Sequence, residues 1–70
     1  MERDVERNLS SSQFAATLRR IADSIERGEP IRIQVAQKRF TIPTDAELSI
    51  EHEAEGGEEE LELQLRWRTK

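Results

Sequence analysis

His52 and Trp67 are the single histidine and the single tryptophan of this 70-residue chain. Chemistry at His52 needs a nucleophile or a substrate proton within reach, and no neighbouring residue type signals one. Its sequence neighbours Glu51 and Glu53 fall on the opposite face of a strand, so His52 reads as a half-exposed structural residue. Four glutamates, Glu51, Glu53, Glu60 and Glu62, form a candidate acidic patch that could hold a weak divalent cation or a basic partner. Their spacing is not that of a calcium loop, and the plainer reading is a solvated face that keeps a sheet edge soluble. Arg32, Arg39, Arg66 and Arg68 form a candidate anion strip, with Glu47 opposite Arg66. No outward aromatic accompanies that strip to stack a base, which argues against nucleic acid.

Other chemistries are excluded by residue type. There is no cysteine, so disulfides and thiol nucleophiles are absent. One histidine without cysteine cannot supply a structural zinc site. So small a core leaves little room for an enclosed pocket. No residue is assigned a catalytic or metal-ligating role, no cofactor is implied, and the expectation is a protein that is not an enzyme.

Seventy residues form one domain at most. Hydrophobic residues make up 34% and charged residues 37% of the chain, and the net charge is −4. The charge is uneven. Residues 45–62 hold nine acids and no Lys or Arg, while Arg66, Arg68 and Lys70 follow directly. Such a balance makes a poor generic nucleic-acid binder. No apolar run approaches the roughly 20 residues that span a bilayer, and no signal segment is visible at residues 1–7, so a cytoplasmic location is expected.

The apolar residues are patterned. Residues 1–9 alternate weakly and read as a tail or a short edge strand, ahead of a domain over 10–70. Ser10 and Gln13 have the spacing of a capping box. Phe14, Ala15, Leu18, Ile21, Ala22 and Ile25 then recur as one face of a helix over about 11–27. Gly28 stands where a left-handed C′ residue belongs, and Pro30 prevents the helix from resuming. Beyond Pro30 the period changes to two. Ile31, Ile33 and Val35 mark a strand over about 31–36, and Phe40 and Ile42 one over about 39–43. Ala36-Gln37-Lys38 connects them without the glycine or asparagine that turns prefer. Leu48, Ile50 and His52 mark a strand over about 47–54. Leu61, Leu63, Leu65 and Trp67 mark another over about 59–68, and Gly56-Gly57 is a hairpin signal between the two. Glu, Leu and Gln favour helices, but a spacing of two forms no stripe on a helix and a full face on a strand. The loop sets a register in which Glu51 faces Glu62, Ile50 faces Leu63, Leu48 faces Leu65 and Glu47 faces Arg66.

The expected fold is α+β, one amphipathic helix packed on one face of a four-stranded antiparallel meander. Such a sheet is roughly 15–20 Å wide, and a helix only about 10–12 Å across. One helix cannot cover the apolar face, so a homodimer or a protein docking surface is expected, with Trp67, Leu65, Phe40 and Ile33 as its candidate interface. A charged-ligand binder, for a cation at the acidic hairpin or an anion at the arginines, is the alternative.

The order of these features resembles the amphi-Trp domain family. The resemblance rests on the Ser-rich cap, the helix Phe14-Ala15-Ala16-Thr17-Leu18-Arg19-Arg20-Ile21-Ala22, Gly28, two short strands ending in Ile42-Pro43, and a last strand closing on Leu65-Arg66-Trp67. It covers roughly residues 8–69. The chain departs from it in having no glycine between the first two strands. The resemblance implies the fold and brings no catalytic residue.

Overall fold

The computed structural model describes residues 8–69. The element order is α1 (Ser11–Arg27), β1 (Ile31–Val35), β2 (Lys38–Ile42), β3 (Glu47–Glu55) and β4 (Glu58–Arg66). The α+β class follows. Of the expected N-terminal edge strand, residues 1–7 lie outside the described residues, and Asn8 and Leu9 belong to no strand.

The helix is fixed at both ends by its sequence. The Ser10 Oγ accepts from the Gln13 backbone N–H at 3.1 Å, and Gln13 Oε1 accepts from the Ser10 N–H at 3.0 Å. Two donors that would otherwise lack partners are thereby satisfied. At the other end Gly28 is left-handed, with φ 68°. Its N–H donates to the Ile25 carbonyl and that of Glu29 to the Ser24 carbonyl, at 3.1 and 2.9 Å. This is the Schellman closure, and it turns the chain into β1.

The four strands form two separate hairpins, β1–β2 and β3–β4. This corrects the four-stranded meander at its middle, because β2 and β3 are not paired. Pro43 has no N–H to give a ladder. The Ala46 N–H instead donates to the Pro43 carbonyl at 3.3 Å. That tight link directs β3 away from β2 rather than back along it. The expected register holds in the β3–β4 hairpin, whereas the connection expected over Ala36-Gln37-Lys38 is one residue shorter, since Lys38 belongs to β2 and pairs with Val35. Ile31 pairs with Ile42 and Ile33 with Phe40. Ile50 pairs with Leu63, Leu48 with Leu65, Glu51 with Glu62 and Glu47 with Arg66. Strand bounds shift by a residue or two. The larger change is that β4 ends at Arg66, so Trp67 stands just beyond the ladder instead of within it.

The buried core is very small. Among the described residues only Ile31 and Ile42 are buried, at 5% and 4% exposure. They pair at the open end of the first hairpin, where α1 packs beside β1. Ile25, Leu48 and Leu65 close around them, leaving a gap of about 60 Å³. The second hairpin is tied to the first there and at one aromatic contact. The Phe40 and Trp67 rings stack at 6.0 Å between centroids and 25° between planes.

Candidate functional site

Among the described residues, the β3–β4 hairpin carries four large apolar side chains open to solvent. Its period-two pattern places Leu48, Ile50, Leu61, Leu63 and Leu65 on one face. Leu65, nearest the core, is half-buried. Its partner Leu48 is 55% exposed, the next pair, Ile50 and Leu63, 70% and 50%, and Leu61 beyond them 66%. Every residue of β3 is exposed. On α1, Phe14 and Leu18 are also open to solvent, at 53% and 38%. The incompletely covered apolar face expected from the sequence is therefore present, and it is concentrated on one arm. The four residues that the sequence offers as an interface are less open. Trp67, Leu65, Phe40 and Ile33 are all half-buried in the chain's own packing. Sequence periodicity identifies a face but does not say how far along it the core reaches.

His52 lies toward the far end of this apolar face, opposite Leu61. Its Nε2 is 3.0 Å from Glu59 Oε1. Glu59 faces Ala54, so the pair forms diagonally across the hairpin. Neighbours along the strand do not reveal the pair, because it spans the two strands. The hairpin thus ends its apolar face in an exposed polar pair.

The opposite face holds the acidic patch as expected, with Glu51 against Glu62 and Glu53 against Glu60. Partial burial, and then the charges of Glu60, Glu53 and Glu51, push the Glu62 carboxyl above its ordinary value. A weak hydrogen bond from Gln64 at 3.4 Å opposes that shift. Among the described residues no three acidic or histidine side chains converge as a metal site.

The arginine strip is divided, because the two hairpins are separate sheets. Arg66 stays with its hairpin, 3.9 Å from Glu47, and Arg68 follows beyond the ladder. Arg32 and Arg39 lie on the first hairpin. There they share a shallow groove with Arg20 from the helix. The helical spacing places Arg20 off the apolar face, and nothing in the sequence indicates that it reaches β1.

A protein-family model for the Amphi-Trp domain matches residues 1–70. The chain belongs to the Amphi-Trp domain family. No curated protein matches it, and no solved structure does. No helix among the described residues is long and apolar enough to cross a membrane.

Proposed function

We propose that this Amphi-Trp domain is a non-enzymatic, self-associating module whose β3–β4 hairpin packs its apolar face against a second copy of the chain. The observation that carries the reading is the exposure of Leu48, Ile50, Leu61 and Leu63 on a hairpin of two strands. An isolated two-stranded hairpin is marginal in water and needs a covered apolar face. Only two residues are buried among those described, which is little for an independently stable unit.

The magnitudes favour a large, shared surface. Fully burying a Leu or Ile contributes about 1.5–3 kcal/mol. Four side chains already half to one-third covered would add roughly 3–8 kcal/mol per copy, or about twice that for a pair. Association itself costs an estimated 4–15 kcal/mol. The hairpin faces thus supply a driving force of the required size. The face also suits a twofold contact, since Leu and Ile on one copy meet the same residues on the other.

Sedimentation of the full chain tests this. The expected species has twice the 8.1 kDa chain mass. Ile50→Asp with Leu63→Asp should return it to one chain mass while the helical circular dichroism persists. Should the double variant unfold, the unmodified chain still decides. A monomer at hundreds of micromolar, with protected β3–β4 amides, would overturn the reading.

A further inference from the structure

We infer that the groove formed by Arg20, Arg32 and Arg39 binds a multiply charged phosphate anion of the oligophosphate class. The site lies on the first hairpin and is independent of the proposed association through the second. Arg32 pairs with Thr41, and Gln34 pairs with Arg39, in neighbouring register positions of β1 and β2. These four side chains therefore share one face. Arg20 joins them from α1. Its Nη2 donates to the Arg32 carbonyl at 2.8 Å. All five residues line a single shallow groove, and no acidic side chain lines it.

Two of the three guanidiniums are held in place while keeping donors free. Gln34 Nε2 donates to the Ala36 carbonyl at 3.1 Å, and Gln34 Oε1 accepts from Arg39 Nε at 3.3 Å. That arrangement uses the Gln34 amide as an anchor and leaves both terminal amino groups of Arg39 available. Arg20 uses one amino group on the backbone and keeps its remaining N–H donors. Among the described residues none of the three arginines is within ion-pair distance of a carboxylate.

The chemistry selects the ligand class. A guanidinium fork matches phosphate oxygens in paired hydrogen bonds. Three unneutralised guanidiniums exceed what one carboxylate could balance, whereas an oligophosphate offers several charges along a short chain. The Thr41 hydroxyl, opposite Arg32, adds a neutral donor. The rest of the chain is acidic, with net charge −4, so the groove is a local reversal of sign that an anion would seek.

The test uses the full chain and inorganic tripolyphosphate at about 20 mM salt, where screening is weak. Amide and guanidinium resonances should shift saturably at β1, β2 and Arg20. Arg32→Gln with Arg39→Gln should weaken binding about tenfold or more, and Arg20→Gln several-fold. Arg27→Gln, outside the groove, should leave affinity within about twofold. An equal loss at Arg27→Gln, shifts centred on Arg66 and Arg68, or no saturable shift at all would each overturn the inference.

Discussion

Ala36 is the described non-glycine residue with a positive φ, 56°. It opens a two-residue turn between Val35 and Lys38, and Gln37 keeps a negative φ, as in a type II′ turn. That turn type takes glycine at its first central position because a Cβ there is strained. The family resemblance leads one to expect a glycine between these strands, and the strained alanine is the consequence of its absence. Ala36→Gly should therefore stabilise the chain by about 0.5–1 kcal/mol, read from the denaturant midpoint. Gly56 and Gly57 are the reverse case, with φ 60° and 85°, and were legible because glycine pairs announce such a turn. Glu62 gives a second prediction. Its carboxyl is raised above the ordinary value of 4.5, first by partial burial and then by Glu60, Glu53 and Glu51. A raised acid binds its proton more tightly when folded, so its contribution is fully present below 4.5 and is lost as pH rises through the higher folded value. Glu62→Gln should thus make the hairpin more stable at neutral pH and flatten the acid side of the stability–pH profile. An unchanged profile would show that Glu62 does not feel its neighbours.

At the level of elements, local pattern and chain punctuation determined what was readable. Ser10, Gln13 and Gly28 specify the helix ends through backbone hydrogen bonds that involve only adjacent turns. Ser10→Ala should accordingly lower stability by about 1 kcal/mol, measured by thermal or denaturant unfolding. The register of the second hairpin was equally readable, since a one-residue slip would move Leu48, Ile50, Leu63 and Leu65 to the wrong face. Whether β2 and β3 pair was not readable. It depends on the direction taken after Pro43, and alternation looks the same in one wide sheet and in two narrow ones. The arginine groove was hidden for a related reason, because Arg20 reaches β1 only through the orientation of one element beside another. The two hairpins communicate through Phe40 and Trp67, whose stacking should appear as a coupling of about 0.5–1.5 kcal/mol in a double-mutant cycle of Phe40→Leu and Trp67→Leu. Additive losses would mean that the rings merely lie near one another.

For the whole molecule, charge placement decides how two copies would meet. The far half of the second hairpin carries Glu51, Glu53, Glu55, Glu58, Glu59, Glu60 and Glu62. Its near end carries Arg66, with Arg68 just beyond. Two hairpins packed face to face in the same direction would bring both acidic tips together. Packed in opposite directions, each tip would lie toward the partner's arginines, and the twofold axis would cross near the middle of the Leu and Ile surface. Stacked sheets sit about 10 Å apart, and a nine-residue strand spans about 30 Å. A spin label on Glu55→Cys should therefore report a tip-to-tip distance of about 30 Å or more for the antiparallel pair and roughly 10–15 Å for the parallel one. The long distance should persist in moderate salt, because burial of the apolar face drives the contact and charge only sets its direction. A short distance in a confirmed dimer would leave self-association intact and show that the acidic tips tolerate each other's charge.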